Sequence, residues 1–195
     1  SLAHFYAQRS QAAAIAGSVA IFASLDCNFR SLIIFSHRCG GCDGLQPMCG
    51  IAALLLAEDT PPSDAKAAVL KLAGRCGIAR RGPDSLDACV PAPRVALAAS
   101  VLTMRSSGDA TQPATDERGN ALCWNGEWFQ GGPAPDAADA PAVLALLAEA
   151  TADAPDAETA AARAADALAA RVRGPYALAF YCAAARTLLY CRDPF

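Results

Sequence analysis

The sequence has few aromatic residues, little net charge and no apolar run long enough to cross a membrane. Aromatic residues make up 7% of the 195 residues although the apolar fraction is 54%, so we expect a core of small side chains and leucines. The net charge of −3 provides no basic surface for nucleic acid. The longest apolar tract, AAAIAGSVAIFASL, is shorter than the roughly 20 residues of a membrane-spanning helix. Neither nucleic acid nor a membrane is therefore an expected partner.

The nine cysteines do not form a recognisable disulfide framework. Their number is odd, and several lie inside apolar runs such as ALCW and FYCA. Cysteines in such positions are typical of buried free thiols in a reducing compartment. We therefore predict a cytoplasmic protein.

Residues 1–47 differ in composition from the rest of the chain. They contain both histidines, no lysine and, before Pro47, no proline, and the stretch CNFRSLIIFSHRCGGCDG has no helical or strand period. We interpret residues 1–47 as a poorly ordered extension, whether or not the mature protein keeps it. An apolar stretch in it also fits a signal or transit peptide. His37, Cys39 and Cys42 have metal-like spacing, which is a third and weak functional interpretation because one CxxC lacks a second pair.

The pattern becomes regular from Met48 onward, and residues 48–195 are predicted to form the folded domain. The stretches CGIAALLLA and RVALAASVLTM indicate strands, and PYALAFYCAAARTLLYCRD indicates two strands joined by a tight turn. A helix is expected within PPSDAKAAVLKLAGRCG, and two more at 142–149 and 157–172. The Asn-Gly in ALCWNGEWF is a hairpin signal. Grouped strands and helices predict an α+β fold with antiparallel sheets.

Four stretches in order, MCGI, RRGPDS, WNGEWFQGG and RVRGPYALAFY…YCRDPF, resemble the glutaminase domain of class II glutamine amidotransferases. RGPDS is similar to the asparagine-synthetase branch, and TQPATDERGNALCWNGEWFQG to asparagine synthetase domain-containing proteins. The resemblance covers 48–195. It implies a four-layer α/β/β/α sandwich of the N-terminal nucleophile hydrolase type. It also implies hydrolysis of glutamine to glutamate and ammonia for asparagine biosynthesis.

The resemblance makes Cys49 the catalytic nucleophile. Once Met48 is removed, the thiolate of Cys49 attacks the glutamine side-chain amide, and its own α-amine serves as the base, so that no histidine is needed. A free α-amine has a pKa of about 7.7–8.0, whereas a peptide nitrogen has no basic lone pair. The chemistry therefore requires Cys49 to be the first residue. The alternative interpretation of Cys49 is a small buried side chain in a strand.

The resemblance also implies an oxyanion hole and an ammonium site in and after the WNGEWF motif. The side-chain amide of Asn125 and the backbone N–H of Gly126 would stabilise the oxyanion, and each such donor is worth about 3–4 kcal/mol. Glu127 and Asp139 would hold the α-ammonium of glutamine. The alternatives are an ordinary type I′ turn at Asn-Gly and an exposed helix-capping role for Asp139, with Asp136 competing for the same alignment.

The RRGPDS loop is expected to shape the pocket. Arg81 is the candidate for substrate contact, and its alternative is a structural ion pair with Asp84. The family's clamp for the substrate carboxylate is an arginine in the strand after this loop, but Val101 stands at the aligned position and Arg105 four residues later. Loss of a bidentate Arg–carboxylate contact weakens binding. The second hypothesis is therefore a catalytically silent regulatory or interaction module.

No cofactor and no metal are expected in this chain. ATP and Mg²⁺ belong to the family's synthetase domain, whose pyrophosphate-binding Ser-Gly-Gly-type loop has no counterpart in the sequence. The chain ends at CRDPF, within a motif that the family continues, so we expect a domain truncated before any synthetase domain. The expected partners are glutamine and that missing domain.

Overall fold

The described part of the chain has an α+β fold with two antiparallel sheets and three α-helices, as the sequence predicts. The computed structural model describes residues 29–35, 49–56, 58–103, 111–134 and 136–193. The element order is β1 (Phe29–Phe35), β2 (Gly50–Leu56), α1 (Pro62–Arg75), β3 (Ser85–Ala92), β4 (Val95–Val101), β5 (Ala114–Thr115), β6 (Ala121–Gly126), α2 (Asp139–Ala150), α3 (Ala157–Arg171), β7 (Tyr176–Cys182) and β8 (Thr187–Arg192). A 3₁₀ turn, Ile78–Arg80, follows α1.

The first sheet has the strand order β1-β2-β4-β3, and all its neighbours are antiparallel. Gly50 pairs with Ser100 at one end of β2 and Leu55 with Val95 at the other. Every residue of β4 is buried, and its sequence, VALAASV, has no alternation because both faces of this strand are covered. A continuous apolar run of this length is typical of a strand in the middle of a core.

The second sheet has the order β5-β6-β7-β8, again antiparallel throughout. Its central strand β7, YALAFYC, is buried along its whole length. The turn between β7 and β8 occupies residues 183–186, which confirms the predicted tight turn. Arg186 within it has a positive φ of 49°.

Each sheet has one face toward the other sheet and one toward helices. An apolar cluster of inner-face residues, including Ile51, Leu97, Cys123 and Ala179, joins the two sheets. Helix α1 packs on the outer face of the first sheet through Val69 and its neighbours. Helices α2 and α3 cover the outer face of the second sheet, where the bulkier side chains lie: Trp124, Trp128, Tyr176, Phe180.

Local sequence explains the helix boundaries. Helix α1 begins at Pro62, because the fixed φ of proline suits the first helical position, and Gly77 follows the helix in the left-handed conformation with φ of 71°. The carboxylate of Asp156 accepts a hydrogen bond from the Thr159 backbone N–H (2.7 Å) and caps α3. The predicted bounds of α3 are confirmed to within a residue, whereas α2 begins earlier than predicted, at Asp139.

The predicted hairpin at Asn125-Gly126 is wrong. Both residues belong to β6, where Asn125 pairs with Ala177 and Gly126 with Tyr176, so there is no type I′ turn. Partner strand β7 holds the Asn-Gly pair in an extended ladder, and this long-range pairing overrides the local turn preference. The sequence patterns also missed β1, β3 and the short β5. Strand β3 alternates poorly because it is a sheet edge with exposed residues Ser85–Asp87.

The proposed boundary at residue 47 stays a prediction. Residues 1–28 and 36–48 lie outside the described residues, and for β1 only the backbone pairing with β2 is described. The candidate metal residues His37, Cys39 and Cys42 lie outside them too. No helix in the described part of the chain is long and apolar enough to span a membrane.

Candidate active site

The candidate site lies at one end of the layer between the two sheets. Cys49 directly precedes β2, and Leu102 directly follows β4, its neighbour in the first sheet. Glu127 directly follows β6 of the second sheet. The carboxylate of Glu127 interacts electrostatically with the Cys49 thiol, which places these strand ends of the two sheets at the same edge.

Strand alternation places three of the relevant side chains on inner faces. Cys49 continues the alternation of Ile51 and Ala53, which pack in the inter-sheet cluster. Val101 continues the inner-face alternation of Leu97 and Ala99 along β4. Asn125 continues the alternation of Ala121 and Cys123 along β6. The thiol, the valine and the amide therefore approach the same gap from two facing sheets.

The Cys49 thiol is half-buried and is held by the backbone of Leu102. The Leu102 N–H donates to Cys49 Sγ (3.4 Å), and the thiol donates to the Leu102 carbonyl (3.8 Å). Burial raises the pKa of the thiol, and the negative charges of Glu127 and Asp84 raise it further, whereas the Leu102 hydrogen bond lowers it. The backbone N–H thus opposes the cost of forming a thiolate in this position.

Arg81, at the end of the 3₁₀ turn that follows α1, lies within electrostatic range of the thiol. Its guanidinium interacts electrostatically with Cys49, and partial burial lowers the pKa of Arg81 from its ordinary value. The neighbouring Gly82 packs so tightly on β4 that an added Cβ would come within 2.5 Å of Val101 backbone atoms. Glycine at this position therefore brings the Arg81 backbone against the end of β4.

Within the described part of the chain, the hydrogen bonds of Asp84 are made with the residues around the end of β4 and not with Arg81, its candidate ion-pair partner. Its carboxylate accepts a hydrogen bond from the Thr103 backbone N–H (2.7 Å), and its own N–H donates to the Val101 carbonyl (3.1 Å). These two bonds fix the loop 81–84 to the chain that leaves β4. Asp84 is exposed and contributes negative charge to the surroundings of Cys49.

The Asn-Gly-Glu segment is held against the start of β7. The Glu127 N–H donates to the Pro175 carbonyl (3.0 Å). An added Cβ on Gly126 would lie 2.5 Å from the same carbonyl oxygen, and one on Gly174 would overlap the Glu127 carbonyl oxygen. Two glycines are therefore needed for this close backbone approach.

Asn125 is buried, with an exposed fraction of 6%. Its backbone continues the β6–β7 ladder. Among the described residues, its side-chain amide has no hydrogen-bond partner. A side-chain amide with N–H donors left over is suited to bind an oxygen atom of a ligand.

Asp139 is also buried, with an exposed fraction of 8%, so the expectation of an exposed capping aspartate is wrong. It is the first residue of α2, and its Oδ2 accepts a hydrogen bond from the Trp128 backbone N–H (3.0 Å). Asp136, the competing position, is exposed. The contact with Trp128 brings the start of α2 to the residue that follows Glu127.

Two residues near the site were missed by sequence reasoning, Leu102 and Ser100. The Leu102 contact is made by backbone atoms, which carry no residue-type signal. Ser100 is completely buried in the apolar strand β4, and a polar residue within such a run was the available signal. Of the two clamp positions, Val101 is buried (3% exposed), and Arg105 lies outside the described residues.

In the described residues, no group of three or more histidine, cysteine or acidic side chains could hold a metal ion.

A scan against known protein families and a search of curated proteins find no match for this chain.

Proposed function

We propose that the chain is a glutamine amidotransferase domain of the asparagine-synthetase type, which hydrolyses glutamine to glutamate and ammonia. The observation that carries this proposal is that the half-buried Cys49 thiol, held by the Leu102 backbone, lies within electrostatic range of Glu127, which follows directly after Asn125 and Gly126 on the facing sheet. The layer order, with α1 outside one sheet and α2 and α3 outside the other, supports the α/β/β/α architecture of N-terminal nucleophile hydrolases.

The reaction begins with proton transfer from the Cys49 thiol to its own free α-amine. The thiolate attacks the carboxamide carbon of glutamine, and the carbonyl oxygen becomes an oxyanion. The Asn125 side-chain amide and the Gly126 N–H then stabilise that oxygen. Collapse of the intermediate forms a thioester, and the ammonium group of Cys49 gives its proton to the leaving ammonia. Water, deprotonated by the same amine, hydrolyses the thioester to glutamate.

In this scheme, different charged residues bind the α-ammonium and the α-carboxylate of the substrate. Glu127, half-buried beside the thiol, binds the α-ammonium of glutamine. Asp139 is the second carboxylate, fixed to the Trp128 N–H. Arg81, whose charge acts on Cys49, attracts the α-carboxylate. The pairing of unlike charges favours an amino acid over an uncharged amide.

The test compares two forms of the same domain. One begins at Cys49 after removal of Met48, and the other retains residues 1–48, so that the nitrogen of Cys49 is a peptide nitrogen. Ammonia release from glutamine is measured with glutamate dehydrogenase. We expect turnover only from the form with the free amine. Equal turnover by both forms would contradict a mechanism in which the Cys49 amine is the base.

A silent regulatory module is the second candidate, and the burial of Val101 favours it. An apolar side chain at the inner-face position next to Leu102 provides no charge for a substrate carboxylate. Isothermal titration of the Cys49-started form with glutamine separates the candidates. Millimolar or tighter binding supports the enzyme, and absence of binding supports the silent module.

A further inference from the structure

The Ser100 hydroxyl connects the two segments that carry Cys49 and Arg81. Its Oγ accepts a hydrogen bond from the Gly50 N–H (3.1 Å) and donates one to the Ile78 carbonyl (2.8 Å). Gly50 follows Cys49 directly, and Ile78 begins the 3₁₀ turn that leads to Arg81. Both hydrogen bonds are buried, and Ser100 has an exposed fraction of 0%.

The space around this hydroxyl is closely filled. An added Cβ on Gly50 would lie 2.9 Å from Ser100 Oγ and 2.5 Å from Ile78 Cγ2, and one on Gly82 would lie 2.5 Å from the Ser100 carbonyl carbon. Two glycines therefore allow the start of β2 and the loop after the 3₁₀ turn to approach Ser100. In such a tight site, a hydroxyl with both a donor and an acceptor partner fixes the orientation of the peptide groups that it joins.

We infer that Ser100 is a positioning residue for the Cys49 thiol. By fixing the Cys49–Gly50 peptide, it keeps Cys49 Sγ within reach of the Leu102 N–H, which lies two residues after Ser100 on the same segment. The role does not require contact between Ser100 and substrate. The expected effect of Ser100 on catalysis rests on the proposed function, whereas its expected effect on the reactivity of the Cys49 thiol does not.

The first test measures alkylation of Cys49 by iodoacetamide in the full chain, followed by peptide mass spectrometry. We expect Ser100→Ala to slow alkylation of Cys49 at neutral pH by about threefold to tenfold, because Cys49 Sγ is no longer held within reach of the Leu102 N–H that stabilises the thiolate. Cys76 is exposed at the end of α1 and serves as the internal reference. An unchanged or faster rate at Cys49 would overturn the inference.

Thr151→Val is the matched control. Like Ser100, Thr151 is buried (1% exposed), and its hydroxyl donates to a backbone carbonyl at 2.8 Å, that of Leu147. Each substitution removes a single hydroxyl, so both variants are expected to lose similar thermal stability. Only Ser100→Ala is expected to change Cys49 alkylation. The same change in both variants would show a general structural effect and would contradict positioning by Ser100.

The second test uses the form with a free Cys49 amine and measures ammonia release. Ser100→Ala is expected to lower kcat about tenfold with KM within about twofold, since misplacement of a reacting atom affects the chemical step more than binding. A rise in KM at unchanged kcat would contradict the inference. If the unsubstituted form releases no ammonia, the proposed function fails, and the alkylation result still decides the role of Ser100.

Discussion

Asn120, just before β6, and Asn125, near the end of β6, are almost equally buried, with exposed fractions of 5% and 6%. Asn120 is fully engaged: its Nδ2 donates to Asp116 (2.7 Å) and its Oδ1 accepts from the Ala183 N–H (2.9 Å). Asn125 has no side-chain hydrogen-bond partner among the described residues. The same residue type therefore closes a turn just before β6 begins and leaves side-chain donors available near the end of β6.

The inner-face cysteines show the same contrast. Cys123, in the middle of the layer, is fully buried, donates to the Ala98 carbonyl (3.6 Å), and has a pKa raised well above its ordinary value by burial. Cys49, at the edge, is half-buried and has an N–H donor and charged neighbours. Position along the strand thus decides whether a polar group completes the core or remains available to a ligand.

Substitution of the two cysteines should separate these roles most strongly. In the form that begins at residue 49, Cys49→Ala is expected to reduce ammonia release from glutamine to background, because the nucleophile is lost. Cys123→Ala should retain kcat within about twofold per folded molecule, since its thiol lies in the apolar layer. Turnover by Cys49→Ala equal to that of the unsubstituted form would exclude Cys49 as the nucleophile.

The two asparagines provide the next largest contrast. Asn125→Ala is expected to lower kcat by about 10²–10³ with little change in stability, as for loss of one oxyanion donor. Asn120→Ala should leave kcat within about twofold but lower the free energy of unfolding by about 1–3 kcal/mol, because the Ala183 N–H loses its acceptor. Steady-state ammonia release and urea denaturation measure both effects. A comparable loss of kcat in the two variants would contradict a catalytic role for Asn125 that Asn120 does not share.

A smaller effect is expected at Asp139. Asp139→Asn retains an oxygen for the Trp128 N–H but removes the negative charge, so KM for glutamine should rise about tenfold while the fold remains stable. Asp139→Ala should raise KM similarly and also destabilise the fold. If Asp139→Asn binds glutamine normally, this residue has only the structural role of holding Trp128, and Glu127 alone would be the ammonium ligand.

Much of the fold could be predicted from local pattern. Strands β2, β4, β7 and β8 are apolar runs bounded by turn residues, and α3 has an alanine-rich sequence with Asp156 as its cap. The Asn-Gly hairpin failed because pairing with β7 depends on residues about 50 positions away, which a local rule does not see. Edge strands β3 and β5 were not predicted because the sequence of an exposed edge lacks an apolar alternation.

The candidate site divides in the same way. The motif order suggested Cys49, Asn125, Glu127 and Arg81 as site residues. In the structure, inter-sheet packing brings the start of β2 towards the end of β6. The backbone partner of the thiol, Leu102, could not be found because every residue type except proline provides such an N–H. Asp139 was ambiguous with Asp136 until burial distinguished them, since burial depends on where α2 packs.

The smallest effect concerns the buried thiols at alkaline pH. Burial raises the pKa of Cys191 to about 12 and that of Cys123 well above the ordinary value of a thiol. Above pH 9 the unfolded chain loses these protons while the folded chain keeps them, so the free energy of unfolding should fall as pH rises from 9 towards 12. Urea midpoints between about pH 8 and 10.5 should fall less steeply for Cys123→Ala. Cys76→Ala, which removes an exposed thiol, should retain most of the original slope. Equal slopes for Cys123→Ala and the unsubstituted protein would show that Cys123 does not remain protonated inside the layer, and its contrast with Cys49 would not hold.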